Sequence, residues 1–314
     1  MKKPAVLMIG PYPEWEMPLL EAAYEVHKLW LVEDKDSYIN RHAESIRAVA
    51  TRGDLGASAD LIAALPQLEM IACFGVGTDA IDLKAARARG IKVSYTPDVL
   101  TGDVADLAIA LCLAVTRKIP QSDVFVRDGS WKSSTMPITP RFFGKRMGIV
   151  GLGRIGMAIA KRAAGFDMDI SYHNRNKRDD VPYHYCETVE ALAAQCDYLV
   201  AAVSGGAASK AMISSAALIA LGPDGYFINI ARGSVVDESA LLHSLEKGVI
   251  KGAGLDVYLN EPKIDERFMK LQNVVLLPHI GSGTLDTRKA MGKLVRDNLE
   301  AHFAGRPLLT PVPA

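Results

Sequence analysis

This 314-residue chain lacks an excess of either charge, any paired cysteine pattern and any long apolar run. Its 36 Lys and Arg balance 36 Asp and Glu, giving a formal net charge of zero. That balance gives no general attraction to phosphate backbones or anionic membranes, so nucleic acid is not an expected partner. Only 4 cysteines occur, and Cys73, Cys112, Cys186 and Cys196 show neither C-x-x-C nor metal-finger spacing. They read as buried free thiols in a reducing compartment, with no metal site. No stretch approaches the roughly 20 apolar residues that a membrane span needs. The apolar segment before Gly10-Pro11 is too short for a signal-peptide core and reads as a first buried strand. The expected location is the cytoplasm.

What the chain has is 49% hydrophobic residues and enough length for two domains. Short apolar runs alternate with helical patterns, as expected of parallel strands joined by crossover helices. Strands are expected at Val6–Ile9, Ala48–Ala50, Met70–Cys73 and Lys92–Ser94, then at Met147–Val150, Asp169–His173, Tyr198–Val203, Tyr226–Ile230, Gly252–Asp256 and Val274–Leu277. Helical patterns include Leu61–Leu65, Val104–Lys118 and Asp286–Phe303, and the proline-bearing tail is placed to pack back on the first set of strands. The predicted fold is α/β: two Rossmann-like, doubly wound parallel-sheet domains with an active-site cleft between them. Their expected boundaries are 1–98 plus 287–314 and 99–286.

Gly151-Leu152-Gly153-Arg154-Ile155-Gly156 directly follows an apolar strand pattern and opens a helical one. In that context G-x-G-x-x-G has a physical reading: a tight turn, close backbone approach to a pyrophosphate, and close helix–strand packing. The phosphates would rest on the helix N-terminus. The next strand ends in Asn174-Arg175-Asn176-Lys177-Arg178, where an NAD-specific site would offer a carboxylate to the ribose. A guanidinium there suits a 2′-phosphate, so NADPH is expected over NADH, with Arg175 as the selector. A solvated basic turn is the alternative.

Arg232, Glu261 and His279 each follow an apolar strand pattern in the second half of the chain. Strand ends of an open parallel sheet border its crevice, which lets the three converge. An arginine can clamp a carboxylate and polarise the neighbouring carbonyl, and a histidine can protonate the oxygen that gains charge as hydride reaches carbon. A carboxylate bonded to that histidine would orient it and favour the imidazolium. Taken singly, Arg232 also suits a surface ion pair, Glu261 a turn, and His279 a satisfied strand end.

Six stretches together resemble the D-isomer-specific 2-hydroxyacid dehydrogenase family nearly end to end. They are Gly75-Val76-Gly77-Thr78-Asp79, Thr96 to Thr101, Gly151 to Gly156, Asn229-Ile230-Ala231-Arg232-Gly233, Gly252 to Val257 and Pro278-His279-Ile280-Gly281-Ser282. The nearest branch is that of glyoxylate/hydroxypyruvate and hydroxyphenylpyruvate reductases. The resemblance implies reduction of a small 2-oxo acid, glyoxylate or hydroxypyruvate before phenylpyruvate-type acids, to the D-2-hydroxy acid. It implies Arg232 as substrate-binding arginine, Glu261 as acidic partner and His279 as proton donor, with Val76 and Gly77 receiving the substrate carboxylate. It also implies Arg154, Ile155, Val203, Ile230, Ala231, Asp256 and Gly281 at the cofactor, and a homodimer. One departure is Ser204-Gly205-Gly206-Ala207-Ala208-Ser209, where many relatives carry a proline- and threonine-containing turn. A dinucleotide-sensing, corepressor-like protein on the same scaffold is the alternative.

Lesser features have plainer readings. Asp103 and Asp106 suit a helix start rather than a metal site. His42, His173 and His184 suit structure or surface. Trp131, Met136 and Phe142-Phe143 suit core packing first, with a dimer contact or a substrate-pocket wall supplied by the other subunit as the alternative. Tyr12 or Trp15 is expected to border the substrate pocket.

Overall fold

The computed structural model describes residues 3–313. Two compact units divide the chain, one formed by Met1–Leu100 with Thr284–Ala314 and the other by Thr101–Gly283. In the first, strands β1 (Ala5–Met8), β2 (Glu25–Lys28), β3 (Ile46–Arg52), β4 (Met70–Phe74) and β5 (Lys92–Ser94) form one sheet in the order β2-β1-β3-β4-β5. Every pair is parallel. This is the flavodoxin-like arrangement, whose order reverses between β1 and β3. β1 and β4 are buried along their whole length, because a sheet covered by helices on both faces selects continuous apolar strands. The edge strand β2 has no such run: its Glu25-Val26-His27-Lys28 alternates in exposure, and the hydrophobic pattern therefore misses it.

The second unit holds β6 (Arg146–Val150), β7 (Asp169–His173), β8 (His184–Tyr185), β9 (Tyr198–Ala201), β10 (Tyr226–Asn229), β11 (Gly252–Leu255) and β12 (Val274–Leu276). Their order is β12-β11-β10-β9-β6-β7-β8, again parallel throughout. Renumbered from β6, this is the 3-2-1-4-5-6 dinucleotide-binding order with one strand added beyond the sixth. The switch point lies between β6 and β9. β8, two residues long, is too short to leave a periodic signal.

Local chemistry sets the helix starts. Asp34, Ser58, Asp82, Thr188, Ser214, Asp237 and Thr284 each accept a backbone N–H from their own first turn. Each such cap is worth about 1 kcal/mol. The helix expected over Val104–Lys118 starts earlier, at Thr101, and ends at Arg117. Its Thr116 hydroxyl meets the Tyr198 hydroxyl at 2.8 Å inside the second unit. The tail returns to β5: Tyr95 N donates to Thr310 O and Val312 N to Val93 O.

Candidate active site

The glycine turn lies at the switch point, between β6 and the helix Arg154–Ala164. Gly151 has φ +98°, and a Cβ there would come within 2.6 Å of the Val203 backbone, so no other residue fits. A Cβ on Gly156 would come within 2.2 Å of the Gly151 carbonyl oxygen. Gly153 differs: a Cβ there would meet no protein atom within 4 Å. Gly153 is also the residue before the first helical turn, and no side chain caps that turn. Arg154 is exposed and Ile155 half-buried at the same helix start.

The loop after β7 is fastened to this turn. Leu152 N donates to Asn174 Oδ1 at 2.6 Å, and Arg178 donates to the Leu152 carbonyl at 2.8 Å while pairing with Asp180. Tyr172 OH bridges the Arg178 backbone, accepting from its N–H at 2.8 Å. Arg175, Asn176 and Lys177 are exposed on this braced loop, and Arg175 has no hydrogen-bond or carboxylate partner among the described residues. The glycine-rich run after β9 is closed by Ser209, whose hydroxyl donates to the Ser204 carbonyl at 2.6 Å.

The titratable groups gather after β10, β11 and β12. Arg232 follows β10 in extended conformation and is half-buried. Asn229 shapes this turn by accepting from Ala231 N and donating to the Arg232 carbonyl, at 3.0 and 2.9 Å. Ile230 and Ala231 are buried. Glu261 Oε2 lies 2.6 Å from His279 Nδ1, and its Oε1 accepts from Tyr258 N at 2.8 Å. Burial pushes the Glu261 carboxyl up, but the bonds from His279 and Tyr258 and the charges of His279 and Arg232 outweigh it. The carboxyl ends below its ordinary range.

An ionised carboxylate only accepts, so Nδ1 of His279 carries a proton. That leaves Nε2 as the ring atom able to give one away.

His279 has φ +54°, a left-handed conformation that costs a non-glycine residue of order 1 kcal/mol or more. Asp256 holds the backbone beyond it: Ile280 N donates to Oδ1 at 2.7 Å and Gly281 N to Oδ2 at 2.8 Å. Asp256 is 2% exposed, and burial raises its carboxyl from the ordinary value despite these bonds. Sequence reasoning placed Asp256 and Gly281 at a cofactor but missed this clamp, for which no sequence signal exists. Nor did it find Tyr258, whose one hydroxyl proton is shared between the carbonyls of Leu255 and Leu277, at 3.1 and 3.0 Å, tying the ends of β11 and β12. A hollow of about 260 Å³ lies against Tyr258, Pro262, Ile264, Leu277, Glu261 and His279.

Val76 and Gly77 follow β4 in the first unit, whereas the other expected site residues belong to the second. One expectation is corrected. Tyr12 does not offer its hydroxyl to a ligand: the ring is 5% exposed, packs on Phe74 at 4.7 Å, and its hydroxyl donates to the Thr51 carbonyl. Trp15 stays 43% exposed. Phe142 follows the core reading, packing edge-on against Phe166 and Tyr198, whereas Trp131 and Phe143 are exposed. Asp106 pairs with Arg162, and no cluster of three metal-ligating side chains exists among the described residues. All four cysteines are buried and none forms a disulfide. No helix among the described residues is long and apolar enough to cross a membrane.

Residues 109–281 match the sequence profile of the D-isomer specific 2-hydroxyacid dehydrogenase, NAD binding domain. The chain is 47% identical over 312 residues to a hydroxyphenylpyruvate reductase of Plectranthus scutellarioides, covering 99% of this chain and 100% of that protein. It is 46% identical, over the same shares, to a glyoxylate/hydroxypyruvate reductase of Arabidopsis thaliana. Among solved structures it resembles the NADPH-dependent glyoxylate/hydroxypyruvate reductase of Sinorhizobium meliloti in complex with NADP and malonate. The TM-score is 0.91 at 39% identity, over 99% of this chain and 97% of that one.

Proposed function

Because the chain belongs to the D-isomer specific 2-hydroxyacid dehydrogenase family, we propose that it is an NADPH-dependent reductase that converts glyoxylate to glycolate and hydroxypyruvate to D-glycerate. The observation that carries this reading is the 2.6 Å pair of Glu261 and His279, with Arg232 close enough for its charge to act on Glu261. The relatives it resembles are named as reductases, which leaves the corepressor-like alternative without support.

The second unit fits the dinucleotide. Open space over Gly153 leaves room for a pyrophosphate where a side chain would intrude, and the uncapped helix start offers N–H groups to it. Gly151 and Gly156 set the turn, with Arg154 and Ile155 at its helix side; Val203, Ile230, Ala231, Asp256 and Gly281 line the nicotinamide half. Asn174 fixes the loop on which Arg175, beside Asn176, meets the 2′-phosphate. Arg178, engaged with Asp180 and Leu152, is not the selector. NADH is the weaker cofactor. When bound, the reduced nicotinamide supplies hydride.

The chain's own residues do the rest. Backbone N–H groups of Val76 and Gly77 and the guanidinium of Arg232 hold the substrate carboxylate, and Arg232 polarises the C2 carbonyl. His279 gives its Nε2 proton to the C2 oxygen as charge develops there. Glu261, kept ionised, fixes the ring through Nδ1 and stabilises the imidazolium before transfer. The units Met1–Leu100 with Thr284–Ala314 and Thr101–Gly283 are accordingly the substrate-binding and dinucleotide-binding domains.

We also read the protein as a cytoplasmic homodimer. Four buried thiols outside any disulfide suit a reducing compartment. Ile119, Val124, Val126, Trp131, Ile138 and Phe143 are exposed along one stretch of the second unit, an apolar surface suited to a second copy. A persistent monomer in sedimentation at micromolar concentration removes that part. The main reading is tested by NADPH oxidation across a panel of 2-oxo acids: turnover with glyoxylate and hydroxypyruvate supports it, and none with any 2-oxo acid refutes it.

A further inference from the structure

Arg288 sits in the first turn of the helix Leu285–Phe303, at the carboxyl end of the first unit's sheet, and three observations make that an unfavourable place for a cation. Its guanidinium is half-buried yet has no hydrogen-bond acceptor and no carboxylate partner among the described residues. Its neighbour Arg52, at the end of β3, is already engaged by both oxygens of Asp54. The helix start turns its positive end toward the same region. Burial, and after it the Arg52 charge, pushes Arg288 below the ordinary arginine range, with Asp54 opposing. Against these costs stand the charge of Asp54, already paired with Arg52, and one packing contact, the guanidinium over the ring of Phe74 at 5.6 Å.

Phe74 ends β4, pairs in register with Arg52, and is followed at once by Gly75-Val76-Gly77. The unpaired guanidinium is therefore held beside the loop that the proposed function assigns to the substrate carboxylate. Guanidinium donates and never accepts, so what it lacks is an oxygen. The C1 carboxylate is already held by Val76, Gly77 and Arg232, which leaves the group a substrate carries beyond C2.

We propose that Arg288 is a specificity-determining residue that hydrogen-bonds an oxygen-bearing substituent on C3 of the substrate, hydroxyl or carboxylate; the assignment rests on the reductase reading above. Hydroxypyruvate carries such an oxygen and glyoxylate has no C3. Packing on Phe74 fixes the guanidinium plane, so the substituent is read in a set direction. Aliphatic 2-oxo acids without that oxygen leave Arg288 unsatisfied and are poorer substrates for it.

The test is steady-state kinetics of wild type, Arg288→Gln and Arg288→Lys with NADPH and either hydroxypyruvate or glyoxylate. The inference expects Arg288→Gln to lower kcat/KM for hydroxypyruvate at least tenfold more than for glyoxylate, chiefly through KM. Arg288→Lys, which keeps the charge, should retain more of the preference and serves as the reporter should the Gln variant not fold. An equal fall on both acids, or an unmoved ratio, overturns the assignment while leaving the reductase reading intact. A wild type inert toward both acids overturns the reductase reading itself.

Discussion

The carboxyl ends of the two sheets are furnished in opposite ways. Beyond β10 to β12, charged groups are tied to one another: Glu261 to His279 and Tyr258, Asp256 to two backbone N–H groups. Beyond β3 and β4, Arg52 is tied to Asp54, but Arg288 beside them packs only on an aromatic face. The same contrast recurs within the second unit, where Arg178 is bound to Asp180 and Leu152 and Arg175 is bound to nothing described. Tied groups hold a geometry in which a proton can move. Untied ones are left for a ligand to satisfy: Arg288 is half-buried and costs the empty protein desolvation, whereas Arg175 is solvated and waits at no such cost.

The sharpest way to break this comparison is at the tied end. His279→Ala should lower kcat by about 10²-fold or more, the usual scale for losing a general acid. Near-wild-type turnover would remove the donor role. Arg232→Ala should lower kcat/KM by about 10²-fold, on the scale of removing one partner of a charge-assisted pair. That loss should appear in KM through the clamp and in kcat through the lost polarisation of the carbonyl, and saturation at ordinary substrate concentrations would count against the clamp.

The untied end of the cofactor loop gives a smaller effect. Arg175→Ala should shift the NADPH/NADH ratio of kcat/KM by about tenfold, one charge-assisted contact. An unchanged ratio excludes Arg175 as the selector.

Two pH effects sharpen the picture further. Since an imidazolium gives up the proton, reduction should decline as pH rises; a flat profile to about pH 10 would contradict general-acid catalysis by His279. The smallest effect is on stability. The Glu261 carboxyl is lower in the folded protein than in the unfolded chain, so its stabilisation is complete above the unfolded value near 4.3 and disappears as pH falls through the lower folded one. Partial exposure keeps it below about 1 kcal/mol. Compared with wild type, Glu261→Gln should melt slightly lower at pH 7, with the gap closing below about pH 4. A gap that persists in acid points to packing rather than charge.

Much of this was legible in the sequence because parallel sheets write their strands as apolar runs and a phosphate turn needs glycines at fixed spacing. The positions of Arg232, Glu261 and His279 after strands were readable for the same reason. The edge strand Glu25–Lys28 and the two-residue His184–Tyr185 were not, since neither buries a full apolar face. Nor could the sequence show that Tyr12 spends its hydroxyl on a backbone carbonyl, or that Asp256 clamps the chain beyond His279. Those are contacts across tens of residues, decided by packing rather than by local pattern. Arg288 belongs with them: its isolation is visible only once Asp54 is seen to be occupied by Arg52.

The most direct measurement is the product itself. Wild-type protein supplied with NADPH and hydroxypyruvate, followed by chiral chromatography, should yield D-glycerate in step with NADPH consumed. L-glycerate, a racemate, or no consumption would contradict the account.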